Sequence, residues 1–304
     1  MPLRGATPGG TTTGEPANPW PPELHLPLAD LIATRLLASL PRPRRHGTAE
    51  GGARRRQPGL DFRELRPYQA GDEVRHIDWR VTARLGRPVT RLYEEEQEQH
   101  HWLLLDLSPA LYFGSGDRLK ARLACELAAA LLWQGARHPQ TLQIHGLTPQ
   151  ILNQKGPPLP LLHQICRHYH AGLARAPLHG TLTEAVTLLR ARLPAGARLT
   201  LIGDHQVPPD PLCQALTALA GAHPIDYWQI RDPLEAGIWG QERLPVTSQQ
   251  GPGWLDAMSP SFNRRYREAA ARQHALCQAR LLPLVRRLTL LDGSQSLQAQ
   301  WEAS

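Results

Sequence analysis

The sequence predicts an α/β fold, a doubly wound, mainly parallel sheet with helices on both faces, joined to a small β-module and an N-terminal helix. Three observations carry this. After Gln97, apolar patterns of strand and helix period alternate, as parallel βαβ units do. Trp102–Leu105 is an unbroken apolar run, as a strand buried on both faces requires. Aspartates stand directly after three predicted strands, at Asp106, Asp204 and Asp232, where parallel strands deliver their carboxyl ends to one edge.

Residues 1–25 are rich in Gly, Pro and Thr, with too few apolar side chains to offset ordering entropy, which predicts a flexible tail. Residues 26–58 read as a helix and a basic linker. Leu28, Leu31, Ile32, Leu36 and Leu40 recur at helical spacing, then Pro41 and Pro43 break the pattern and six arginines follow between Arg42 and Arg56. In residues 59–97, Ile77, Trp79 and Val81 alternate with polar residues, and Val89–Tyr93 does likewise. That predicts a small β-module with Trp79 packed in its core.

Residues 98–304 carry the main sheet. The expected order is strand 102–105, a helix through Leu119, Leu123, Leu127 and Leu131, a strand through Leu142 and Ile144, and a helix over 159–169. Thr181-Leu182-Thr183-Glu184 is a capping box opening the next helix. A strand at Arg198–Gly203, a helix through Leu212, Leu216 and Leu219, and a strand at Ile225–Ile230 follow. Residues 232–259 form an irregular insert, read as a hairpin or loop. A long helix over Pro260–Leu281 shows Phe262, Tyr266, Ala269 and Leu276 on one stripe, and Leu284–Leu290 reads as an edge strand.

Composition limits the partners and the compartment. Lys+Arg 34 against Asp+Glu 27 leaves a net charge of +7, which suits nucleic acid, an anionic membrane or an acidic partner without choosing among them. The arginine linker has no interleaved aromatic side chains for base stacking, so only nonspecific, salt-sensitive nucleic-acid binding is expected of it. Cys125, Cys166, Cys213 and Cys277 form no CxxC pair, which argues against a zinc ribbon, a redox dithiol or a disulfide framework. They read as reduced thiols of a cytoplasmic protein. Neither a secretory leader nor a membrane span is expected, since no uncharged apolar run reaches about 18 residues.

The strand-end residues Asp106, Ser108, Thr181 and Asp204 offer hard oxygens of the kind Mg²⁺ takes in octahedral coordination. Each also has a local role: Asp and Ser terminate strands, and Thr181 caps a helix. No catalytic residue emerges. Ser108 has no placed histidine, His205 is merely the neighbour of Asp204, and the chain lacks a GxxxxGK[ST] phosphate loop. His163, His168 and His170 do not share an i, i+4 face, so these and His100-His101 read as surface or packing residues.

Asp106-Leu107-Ser108-Pro109-Ala110, then Thr181, then Asp204 resembles the three-loop metal-ion-dependent adhesion site of von Willebrand factor A domains. The resemblance implies an ion held by these oxygens and completed by a partner's carboxylate. Ala110 stands where that pattern has a second serine, which implies a degenerate site. Asp61 to Arg80, including Arg66, Tyr68, Gly71, Asp72, Arg75, Asp78 and Trp79, resembles the signature of the bacterial domain-of-unknown-function 58 family. That likeness implies a von Willebrand factor A-like domain working as a non-catalytic protein-binding adaptor with a MoxR-type AAA+ ATPase and a client protein. Read from the residues alone, Gly71-Asp72 is a turn, and Arg66, Asp72, Arg75 and Asp78 are near enough in sequence to pair and pin the β-module. The alternatives are an Mg²⁺-dependent hydrolase or phosphotransferase using the strand-end aspartates, and a nonspecific nucleic-acid binder.

Overall fold

A computed structural model describes residues 21, 23–40, 64–69, 77–92, 100–145, 150–152, 156–174, 180–205, 207–238, 243–248 and 251–302. Most of the expected tail, the basic linker, and Gly71, Asp72 and Arg75 lie outside the described residues.

In place of one N-terminal helix there are two short ones, α1 (Leu28–Ala33) and α2 (Arg35–Ala38). They part at Thr34, whose hydroxyl donates to the Leu31 carbonyl at 2.8 Å, a bond that competes with the helical ladder. Leu26, Leu31 and Leu37 bury themselves in the main core, so this segment is part of the domain it precedes.

Strand β1 (Glu64–Pro67) pairs antiparallel with β2 (Val89–Leu92), Glu64 opposite Leu92 and Pro67 opposite Val89. The alternation at Ile77, Trp79 and Val81 does not make a strand. Trp79–Leu85 is a helix, α3. The Asp78 carboxylate accepts from the backbone N–H groups of Arg80 and Val81, each at 3.1 Å, while Gly86, at φ 65°, closes the far end. An N-cap and a left-handed glycine outweigh three alternating residues. Trp79, expected in a core, is 65% exposed on the first turn.

The main sheet follows. β3 (His101–Leu105), α4 (Lys120–Gln134), β4 (Gln140–Ile144), β5 (Gln150–Leu152), α5 (Leu159–Leu173), α6 (Leu182–Leu189), β6 (Arg198–Gly203), α7 (Asp210–Ala220) and β7 (Ile225–Arg231) succeed one another. A hairpin, β8 (Arg243–Ser248) and β9 (Gly251–Asp256), fills part of the insert. Then come α8 (Pro260–Leu281), β10 (Arg287–Asp292) and α9 (Leu297–Glu302). Spatial order is β10-β7-β6-β3-β4-β5, with the first five parallel and β5 antiparallel to β4.

Both faces are covered, which is why the strands read as continuous apolar runs. Leu103 and Leu105 face a layer containing α1, α4, α5 and α9, while Trp102 and Leu104 face α6, α7 and α8. α8 buries Ala270, Cys277 and Leu281, and Leu276 of the expected stripe is 46% exposed. Phe262 and Tyr266 instead face each other near the helix start, with ring centroids 6.1 Å apart. Among the described residues no helix is long and apolar enough to cross a membrane.

The winding reverses at β3: the chain adds β4 on one side and returns to add β6 on the other. Such a reversal opens a crevice at the strands' carboxyl ends. Asp106 and Asp204 stand there.

Candidate functional site at the carboxyl edge of the sheet

Parallel pairing sets the residues beyond β3, β4 and β6 side by side. The Asp106 N–H donates to the Ile202 carbonyl and the His145 N–H to the Leu105 carbonyl, each at 2.9 Å. The ladder therefore continues one residue past the strands and aligns Asp106 with His145. Ligand atoms of Asp106, Asp204 and His205 lie within 4.8 Å of one another.

Asp106 has no exposed surface. Its Oδ1 accepts from the Ser108 backbone N–H at 3.0 Å and lies 2.8 Å from His145 Nδ1. Its Oδ2 accepts from the Ser108 hydroxyl at 3.3 Å. His145 Nε2 lies 3.1 Å from the Gly180 carbonyl. Both nitrogens thus face acceptors, and satisfying both requires a proton on each. Burial opposes that charge, but the hydrogen bond and charge of Asp106 outweigh it and raise the His145 pKa above the ordinary histidine value.

Asp204 is paired as well. Lys120, the first residue of α4, is 2% exposed and places Nζ 2.8 Å from Asp204 Oδ2 and 2.5 Å from Glu235 Oε1. Burial opposes the ammonium; the charge and hydrogen bond of Asp204, with Glu235 beside it, overcome burial and raise the Lys120 pKa. Asp232 has a structural task, accepting from the N–H groups of Ser115 at 2.8 Å and Leu234 at 2.9 Å, which fixes the loop after β3.

The expected ligands differ in how they are engaged. Asp106, Ser108 and Asp204 share the edge. Thr181 follows Gly180, whose carbonyl faces His145; its hydroxyl accepts from the Glu184 N–H at 3.2 Å, and Glu184 Oε2 accepts from the Thr181 N–H at 2.8 Å, completing the expected capping box. Ala110 lies exposed on a 3-10 turn over Pro109–Tyr112. In the signature, Asp78 caps α3, the Tyr68 N–H donates to the Pro88 carbonyl at 3.0 Å, and Arg66 sits opposite Thr90.

The donor set does not fit Mg²⁺. That ion needs near-octahedral oxygen at about 2.0–2.1 Å. Here Asp106 already takes three internal donors, Asp204 holds an ammonium, the Thr181 hydroxyl already accepts a capping bond and Ala110 offers no oxygen. The set does not fit hydrolysis by a Ser-His-Asp relay either, because His145 Nε2 faces a carbonyl and not Ser108.

Sequence reasoning missed Lys120, His145 and Glu235. One signal was present: Lys120 is one of only two lysines among 34 cationic side chains, and it opens a helix, where a cation is disfavoured. Around the edge, Pro109, Ala110, Phe113, Ser115 and Thr181 are exposed, with the Phe113 ring centroid 5.9 Å from Lys120 Nζ.

A family model described as "Protein of unknown function DUF58" matches residues 64–276, well over half of the chain. Uncharacterized proteins of Mycobacterium bovis and Mycobacterium tuberculosis are 43% identical over 74 residues, 24% of this chain and 23% of theirs. The matched stretch thus spans under a quarter of those relatives' length. Among solved structures, the conserved hypothetical protein BatB of Bacteroides thetaiotaomicron is similar at TM-score 0.41 and 11% identity, over 67% of this chain and 95% of that one. An aerotolerance-related membrane protein of Bacteroides fragilis is similar at TM-score 0.41 and 10% identity, over 67% and 97%.

Proposed function

The chain belongs to the DUF58 family, and from that premise we propose that it is a non-catalytic, protein-binding adaptor built on a von Willebrand factor A-like domain with a degenerate adhesion site. Its expected partners are a MoxR-type AAA+ ATPase and a client protein. What supports this most is the edge itself: the carboxylates where a ligand-binding crevice belongs are neutralised from within, and His145 turns its second nitrogen to Gly180. Among the described residues, the His145 ring that meets Asp106 turns no free nitrogen to the Ser108 hydroxyl. An internally paired edge rimmed by Phe113, Pro109 and Ala110 suits docking better than turnover.

Binding of the purified chain to a purified MoxR-type ATPase tests this. Saturable binding that weakens at least about tenfold in Phe113→Ala is expected, the loss of one buried aromatic anchor. No binding, or turnover of phosphoesters that disappears in Asp106→Asn, would replace it with the hydrolase reading.

A further inference from the structure

We propose that Lys120 is the resident cation of this edge, a tethered replacement for a divalent ion, and that it closes the edge to Mg²⁺. The inference concerns the charge of the edge and not what docks there, so it stands apart from the adaptor reading.

Four observations converge. The ammonium is buried and bound by two carboxylates from different parts of the chain, Asp204 after β6 and Glu235 after β7. It is enclosed on its other sides. The Phe113 ring lies near Nζ, and the loop after β10 presses on the stem so closely that a Cβ on Gly293 would meet Lys120 Cγ at 2.9 Å. Gly293 leaves the room that the lysine stem needs. The backbone at this position is fixed as well, since the Lys120 N–H donates to the Phe113 carbonyl at 3.0 Å.

The residue type points the same way. Thirty-two of the chain's 34 cationic side chains are arginine, yet this position is lysine. A compact ammonium resembles a point ion, whereas a planar guanidinium needs a flat, forked partner. Lysine at the start of α4 also opposes the helix dipole, so only the carboxylates make it favourable. Finally, the neighbouring Asp106 has its own partner in His145. An approaching dication would meet two carboxylates already bonded to an ammonium and a protonatable imidazole, both covalently part of the fold.

Calorimetric titration and thermal melting in Mg²⁺, after chelator treatment, test the proposal. Wild-type protein should show neither heat nor a rise in Tm up to about 10 mM Mg²⁺. Lys120→Met should gain binding. Because that variant leaves Asp204 and Glu235 unpaired, Lys120→Met with Glu235→Gln is the second variant, removing one charge of each sign. It should bind Mg²⁺ at least about tenfold more tightly than wild type, as expected when a nearby like charge is removed. Asp106→Asn added to it should abolish the gain. Mg²⁺ binding by wild type, or a folded double variant that stays silent, overturns the proposal.

Discussion

Lys120 and His145 each place one positive charge against one buried aspartate, and the two pairs have different pH signatures. His145 has a folded-state pKa above the ordinary 6.5, so its contribution to stability is complete below about pH 6.5 and fades as pH rises through the raised value. The difference in Tm between wild type and His145→Gln should therefore be largest in mildly acidic buffer and shrink towards alkaline pH. A difference that grows with pH would contradict the pairing. Lys120 titrates far higher and should show no such trend in this range. Lys120→Ala leaves two carboxylates without their buried partner and should cost about 3–5 kcal/mol in urea denaturation, the range for breaking a buried ion pair. The two aspartates were legible in the sequence because strand ends are marked by the end of an apolar run. Their cations were not, since Lys120 meets Asp204 across 84 residues and His145 meets Asp106 across 39. Only the winding of the sheet brings them together.

At the scale of elements, the loop after β3 is held to α5 by one close approach. Tyr112 donates its hydroxyl to the Tyr169 carbonyl at 3.1 Å, and its ring lies against Gly172, where a Cβ would meet the hydroxyl oxygen at 2.0 Å. Gly172→Ala should destabilise by about 1–3 kcal/mol through overpacking. The same change in a Tyr112→Ala background should cost far less, and an equal cost in both would show that the ring is not the obstacle. At the opposite edge, Asp226 is 1% exposed and receives Arg198 and Arg286, tying the starts of β6, β7 and β10. Burial works against its charge, but the two guanidinium groups prevail and hold its pKa below the usual carboxylate value. Its stabilising effect is thus present at neutral pH and lost as pH falls through that lowered pKa. Asp226→Asn should cost about 2 kcal/mol at pH 7, as for a lost charge-assisted hydrogen bond, with the gap to wild type closing in acid. Elements with long apolar runs, such as β3 and β6, were readable; α3 was not, because its caps, Asp78 and Gly86, say more than the alternation between them. α8 misled differently. Phe262 and Tyr266 are larger than Ala270 and Cys277, yet the small residues face the sheet, where close approach rather than bulk decides the packing.

For the whole molecule, the doubly wound sheet follows from strand–helix alternation, and so does the location of the edge. The N-terminal segment could not be placed from its own pattern. Arg122 anchors it, donating to the His25 carbonyl at 2.7 Å and to Asp30 at 2.5 Å, while Tyr169 donates to the Leu24 carbonyl at 2.9 Å. These bonds connect positions 92 to 145 residues apart, beyond the reach of any local signal. Together with the core contacts of Leu26, Leu31 and Leu37, they make this segment one side of the layer that carries α4, and hence Lys120. The charge state of the carboxyl edge is the feature on which the functional and physical arguments meet. A crystal structure grown in Mg²⁺ tests it most directly. Lys120 Nζ should remain within hydrogen-bond distance of Asp204 and Glu235, with His145 bridging Asp106 and Gly180. An octahedral ion joining Asp106 and Asp204, with the lysine turned away from both carboxylates, would contradict it.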